Sequence, residues 1–165
     1  MQHVQPRSTT SALVLTAVLI ALTTLFTMYT KIPVPGIRGY FNVGDVVIMT
    51  SALLLGRKYG AYIGAIGPAL ADLFLGYAVF VPITFVVKGI EGYLVGTVYN
   101  YKTTTSALVA TIVGGVIIVA GYFIAEYFVF DPGVAIAGIL TNTIQAVMSV
   151  IISMILYAIL RKRLG

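Results

Sequence analysis

The chain has 165 residues, 59% of them hydrophobic and only 9% charged, with a mean hydropathy of +1.03. A soluble domain carries about 25% charged residues, so this composition excludes a water-soluble enzyme or nucleic-acid module and points to lipid. Cysteine is absent and the only histidine is His3, which removes disulfides, Cys-ligated metals and any intramembrane histidine that could catalyse or bind metal.

The expected fold is an all-α integral membrane bundle of six transmembrane helices forming a single membrane domain over residues 1–165. A spanning helix needs roughly 20 mainly apolar residues. Ser11–Tyr29 holds no charge and is the first span. Its Ala17 and Ala21 form an AxxxA pair flanked by threonines, a smooth face suited to packing inside the bundle or against another membrane subunit. The loop Lys31–Val43 follows, with prolines in "KIPVPGIRG" and then the polar stretch "GYFNVGDVVI" at 39–48. Gly44–Leu55 is the second span, short at about 18 Å from a 1.5 Å rise per residue. Tyr59–Phe80 is the third, bent at Pro68. Pro82–Tyr99 is the fourth, opening with a proline near the first helical position, where a missing N–H costs least. Ser106–Phe130 is the fifth. Pro132–Leu160 is the sixth, with Asp131 as its N-cap.

Six spans place both termini on one side, and the basic residues sort accordingly. Arg7, Arg57, Lys58, Lys102, Arg161, Lys162 and Arg163 fall on that side, whereas Lys31 and Arg38 fall on the other. The positive-inside rule makes the first side cytoplasmic and the protein a multi-pass component of the cytoplasmic membrane. Reading Ser11–Thr24 as a cleaved leader spoils this sorting, and its basic flank is thin. The polar stretch at 39–48 therefore lies on the outer face, at the mouth of the second span.

Asp72, Lys88 and Glu91 lie well inside spans, and Glu126 lies about one turn from the outer end of the fifth. Each charge at a helix centre costs on the order of 2.5–3.5 kcal/mol on insertion scales, so these groups must face the interior, a wet cavity or one another. Thr84, Lys88 and Glu91 share one helical stripe at i, i+4, i+7. Asn142, Gln145 and Ser149 share another on the last span. All the strongly polar positions crowd the outer half, which suggests a site loaded from outside. A buried ion pair that only fixes helix packing is the competing reading of Lys88 and Glu91. Interhelical hydrogen bonding is the competing reading of Asn142 and Gln145, capping of span two that of Asp45, and simple solvation that of Glu126. Tyr40, Phe41, Tyr77, Phe85 and Tyr93 are the candidates to stack on a ligand, although interfacial aromatics are also ordinary belt residues.

No GxxxxGK[ST] sequence occurs, so the chain holds no nucleotide through a P-loop. The absence of an internal repeat argues against a complete carrier of the inverted-repeat type. The chain is then either a small self-sufficient proton-coupled carrier, using Asp72 or Glu91 as a relay, or the binding part of a larger machine. An intramembrane aspartate-dependent enzyme would need two carboxylates meeting at one bond, and neither Asp45 nor Asp72 sits in a protease motif.

The ordered set "FNVGDVVIMTSALLLG" (41–56), "GAIGPALADLFLGY" (64–77), "VVKGIEGYLVG" (86–96), "AEYF" (125–128) and "TNTIQAV" (141–147), with AxxxA in the first span, resembles a family. It is similar to the substrate-binding S components of energy-coupling factor (ECF) vitamin transporters, most of all the group for riboflavin and hydroxymethylpyrimidine. The resemblance implies a non-enzymatic subunit that captures a vitamin or precursor from outside, in a pocket of the outer parts of spans four to six. It also implies a lid, here Lys31–Val43, with Gly39, Gly44 and Asp45 as gating and hinge positions. Asn42, Tyr40, Phe41, Lys88, Glu91, Asn142 and Gln145 are the implied substrate-binding residues. The Ala17/Ala21 face resembles the family's docking surface for a transmembrane coupling subunit, which works with two ABC-type ATPases. The chain itself then needs no cofactor or metal, since the ATP is used by its partners. The resemblance implies a Lys in riboflavin-binding members where this chain has Gln145, a departure that sets a smaller pyrimidine or pyridine compound beside riboflavin as the expected ligand.

Overall fold

The computed structural model describes residues 9–30, 32–33, 40–100 and 103–164. The elements follow in the order α1 (Thr9–Tyr29), β1 (Ile32–Pro33), β2 (Tyr40–Phe41), α2 (Gly44–Leu55), α3 (Arg57–Phe74), α4 (Phe80–Val98), α5 (Thr104–Val129) and α6 (Pro132–Leu164). β1 and β2 pair antiparallel, Ile32 opposite Phe41 and Pro33 opposite Tyr40. The described chain is thus all helix apart from this two-rung clip. Four of the described helices, α1, α4, α5 and α6, are long and apolar enough to cross a membrane. α2 is apolar but has only 12 residues.

α2 is the post of the bundle. It packs on α1, α3, α4 and α6, and every residue of it except Leu54 is buried. A helix that is apolar around its whole circumference belongs in an interior, which explains why the sequence offers no polar stripe there. Around it, α1 packs on α3, α3 on α4, α4 on α5 and α5 on α6. α3 and α4 touch most intimately, and glycine is the reason. A Cβ at Gly64 would collide with the backbone carbonyl of Lys88, and one at Gly92 with that of Gly60. Small residues that admit close backbone approach are the usual adhesive between helices in lipid, where the hydrophobic effect does not drive association.

α1 turns its threonines inward. Thr16, Thr23, Thr24 and Thr27 are buried, while Leu13, Val14, Ala17, Val18 and Ala21 are exposed. Three of the four inward hydroxyls, those of Thr16, Thr23 and Thr24, find acceptors on their own helix: Thr16 donates to Ala12 O at 2.7 Å and Thr23 to Leu19 O at 2.7 Å. Such back-bonding lets a hydroxyl sit in an apolar contact without an unmet donor. Thr24 reaches both Ile20 O and, across the interface, Gly67 O, each at 2.9 Å. Of the two uses open to the AxxxA pair, internal packing is taken by the threonines, and Ala17 and Ala21 face outward.

The break between the expected third span, 59–80, and the fourth falls earlier than residue 81. α3 ends at Phe74, Gly76 follows with φ of +81°, and α4 starts at Phe80. The apolar run "LFLGYAVFVP" conceals that break, because a turn at a membrane surface can stay apolar; the left-handed glycine, which a side chain would strain, is what ends the helix. Pro82 accordingly lies in the first turn of α4. Gly56, with φ of +91°, is the whole connection between α2 and α3. Asp131 caps α6 as expected, its Oδ1 accepting the Val134 N–H at 3.0 Å. α6 continues past the expected Leu160 to Leu164, because Arg161, Lys162 and Arg163 are good helix formers at a C-terminus.

The hydrophobic core lies toward the far end from the polar stretch. It gathers Met49, Leu53, Val95, Ile118 and Ala146, and closes on Tyr99 and Tyr157, whose hydroxyls meet.

Candidate functional site

The ends of α1, α3 and α5 meet the starts of α2, α4 and α6 at one end of the bundle, and this end holds the polar residues. Asp45, on the first turn of α2, is fully buried and does not cap its helix. One oxygen, Oδ1, accepts from the Lys88 ammonium of α4 at 2.5 Å. The other, Oδ2, accepts from Gln145 Nε2 of α6 at 2.7 Å. Glu91, one turn beyond Lys88, places Oε2 at 3.6 Å from the same ammonium. Lys88 and Glu91 are 2% and 0% exposed, so both readings of the α4 stripe hold in part: it is a buried ion pair, and its chief anionic partner is Asp45 on another helix.

Gln145 carries the network to the chain before α2. Its Oε1 accepts the backbone N–H of Asn42 at 3.1 Å. Asn42 Oδ1 in turn accepts the Gly44 N–H at 2.8 Å, and Thr30 Oγ1 accepts the Val43 N–H at 3.0 Å. The segment entering α2 is thus latched to α6 and to the end of α1. Glycine at 44 is required by space: a Cβ there would collide with Thr27 Oγ1.

Beside this network lies a cavity with about 50 Å³ of free space. Its walls come from α3 (Pro68, Asp72), the turn and start of α4 (Tyr77, Phe80, Thr84, Lys88), α5 (Tyr122, Glu126) and α6 (Gly138, Thr141, Asn142, Gln145), with Thr27 and Asn42. Thr84 and Tyr122 hydroxyls lie 3.0 Å apart on one wall. Tyr77 and Phe80 stand edge to face at 6.4 Å, and Phe80 meets Phe130 at 5.4 Å, which makes an aromatic rim of the kind that favours planar heterocycles. Glu126 is 4% exposed and its Oε2 has no hydrogen-bond partner.

The sequence-predicted residues divide among these parts. Asn42, Lys88, Asn142 and Gln145 line the cavity, although the polar groups of Lys88 and Gln145 are engaged within the protein. Glu91, expected to orient the ligand, does not line it. Its carboxylate faces Lys88 and its stem lies near Gly114 of α5, so it sits behind Lys88 and balances that charge. Asp45, expected as a hinge anchor or a cap, is the centre of the ion-pair network. Gly39 and Lys31 lie outside the described residues, as does most of the expected lid; Tyr40 and Phe41 are described only as backbone of β2. Among the aromatic candidates, Tyr77 lines the cavity, whereas Phe85 and Tyr93 are 50% and 42% exposed and do not. Phe80, Tyr122 and Thr141 belong to the wall and were not singled out. The stripe through Thr84 and Lys88, extended one turn back, reaches Phe80 and could have found it. Among the described residues no group of three His, Asp or Glu side chains is placed to hold a metal ion.

Known proteins place this architecture. The family model of the "ECF-type riboflavin transporter, S component" matches residues 7–162. The "uncharacterized protein in gap 3'region" of Pyrococcus woesei is 41% identical over 145 residues, covering 86% of this chain and 96% of that protein. The "thiamine precursor transporter HmpT" of Lactococcus lactis subsp. cremoris is 29% identical over 152 residues, covering 91% and 87%. A solved structure of the S component of a bacterial ECF transporter superposes with a TM-score of 0.74 at 19% identity, covering 96% of this chain and 99% of that one. With a family match over nearly its whole length and the same helical architecture, the chain belongs to the S components of ECF-type riboflavin transporters, a multi-pass membrane subunit of an importer and not an enzyme.

Proposed function

We propose that this S component captures a vitamin or vitamin precursor, riboflavin or a smaller pyrimidine or pyridine heterocycle, in the cavity between α3, α4, α5 and α6. The observation that carries this reading is the placement of buried polar groups and an aromatic rim around one cavity, at the end of the bundle where residue 42 is latched to α6. Asn142, with the walls set by Lys88 and Gln145, orients the ligand, and residues 31–43 cover it. The family name and the thiamine-precursor relative support a vitamin-sized heterocycle. All six helices cross or enter the membrane as one domain, with both termini cytoplasmic, and the cavity opens outward. Delivery inward follows docking of the exposed Ala17/Ala21 face on a transmembrane coupling subunit, driven by two ABC-type ATPases. The chain uses no cofactor of its own.

The test is to purify the chain in detergent and identify co-purifying small molecules by mass spectrometry and visible absorption. A yellow protein bearing flavin, or a colourless one bearing a pyrimidine or pyridine compound, supports the reading and names the ligand. Ionophore-sensitive uptake by the chain alone in proteoliposomes would instead support the self-sufficient carrier.

A further inference from the structure

The cavity has an acidic cast. Four of the five acidic residues of the chain, Asp45, Asp72, Glu91 and Glu126, surround it or lie directly behind its wall, and all four are buried. Lys88 is the single cation among the described residues there, and it is held by Asp45 and Glu91. In a low-dielectric site, a wall rich in carboxyl groups favours a ligand that brings hydrogen-bond donors.

Glu126 gives that preference a position. It is nine-tenths buried, it lines the cavity, and its Oε2 has no partner in the protein. An unmet buried carboxyl oxygen is costly, and the cavity is where a partner can enter. Gly138 of α6 makes room for it: a Cβ there would collide with Glu126 Oε2 and come within 3.5 Å of Asn142 Nδ2. The Glu126 carboxyl and the Asn142 amide therefore stand side by side over a glycine, next to the aromatic rim of Tyr77 and Phe80.

We infer that Glu126 is the specificity residue of this site and that it selects a heterocycle carrying an exocyclic amine beside a ring nitrogen, as in an aminopyrimidine. The inference rests on the vitamin-binding function proposed above. A carboxyl group matches that edge in either protonation state. The carboxylate accepts two parallel N–H bonds from a ring-protonated aminopyrimidine, and the neutral acid donates its O–H to the ring nitrogen while its carbonyl accepts from the amine. The imide edge of riboflavin, with one N–H between two carbonyls, offers a single donor to a carboxylate and turns its carbonyls toward like-charged oxygen. A carboxylate-bearing vitamin sets its own oxygens against the Glu126 carboxyl.

The experiment is calorimetric titration of the purified full chain in detergent with three probes: the hydroxymethyl aminopyrimidine precursor of thiamine, riboflavin and nicotinate. The aminopyrimidine is expected to bind best. Glu126→Gln is expected to weaken it about tenfold to hundredfold, the loss of a charge-assisted hydrogen bond. Gly138→Ala, which displaces the carboxylate without removing it, is expected to weaken it in the same direction. Because Oε2 has no hydrogen-bond partner within the protein, Glu126→Gln should leave the melting temperature unchanged, which separates lost recognition from lost folding. Unaltered aminopyrimidine affinity in both variants, or tighter binding of riboflavin or nicotinate, would overturn the inference while leaving the vitamin-binding function standing. Failure of the unmodified chain to bind any of the three probes overturns both.

Discussion

Replacing Lys88 by Met isolates the charge network. The ammonium lies 2.5 Å from Asp45 and 3.6 Å from Glu91, with 2% of the lysine side chain exposed. Removing it leaves two carboxylates facing each other without a cation, and breaking a buried pair in this way costs about 3–5 kcal/mol. At 1.36 kcal/mol per power of ten, the unfolded fraction should rise by roughly two to three and a half powers of ten. The chain has no tryptophan, so unfolding in detergent is best followed by far-UV circular dichroism across an SDS titration. Combining Lys88→Met with Asp45→Asn and Glu91→Gln removes every charge of the network and should restore stability to within about 2 kcal/mol of the unmodified chain, since well-packed neutral replacements of buried ion pairs are often tolerated. A single Lys88→Met variant within about 1 kcal/mol of the original would refute the burial argument, because it would mean water reaches these carboxylates.

Three other substitutions probe separate parts of the molecule. Gly64→Leu should destabilise the bundle by about 3 kcal/mol, since overpacking here meets the backbone of Lys88 rather than a side chain that can move; size-exclusion profiles would show loss of the monodisperse peak. Asn142→Ala should weaken ligand binding about tenfold, one hydrogen bond's worth, with an unchanged melting temperature; equal affinity would move the pocket away from the start of α6. Leucine at both Ala17 and Ala21 lies on an exposed face, so it should spare binding by the isolated chain yet abolish uptake by the assembled transporter in proteoliposomes.

Much of this site was legible because charge is expensive in lipid. Asp72, Lys88, Glu91, Glu126, Asn142 and Gln145 had to turn inward, and helical spacing put them on shared stripes. The bounds of helix α2, 44–55, were readable to the residue, because "NVG" and "GRK" punctuate both of its ends. Pairing across the bundle was not readable. Lys88 and Glu91 are neighbours on one helix, a relation that spacing exposes, but the stronger contact joins Lys88 to Asp45 across 43 residues and Asp45 to Gln145 across 100. Nothing in a one-dimensional pattern ranks such partners. The same limit made Gln145 look available to a ligand, when both ends of its amide are occupied. Glu126 illustrates the opposite error: its place near a helix end allowed it to be solvated, and only the approach of α6 at Gly138 buries it. The apolar pattern sets the break between α3 and α4 at residue 81 and not at 75–79, because a single left-handed glycine, without polar neighbours, makes it.

The central position of α2 also bears on how the protein is made. Its 12 residues reach about 18 Å, too little to cross a hydrocarbon layer of about 30 Å, and its first turn carries Asp45. During synthesis, α2 therefore cannot be released into the membrane as a finished unit. Gly56 ties it directly to α3, so α2 is covalently bound to its neighbour within one residue. Asp45 meets Lys88 only once α4 has emerged, and Gln145 only when α6 has followed. Biogenesis thus runs toward closure: a helix made a hundred residues later completes the partners of Asp45, and a chain that stalls before it carries an incompletely satisfied carboxylate in its core.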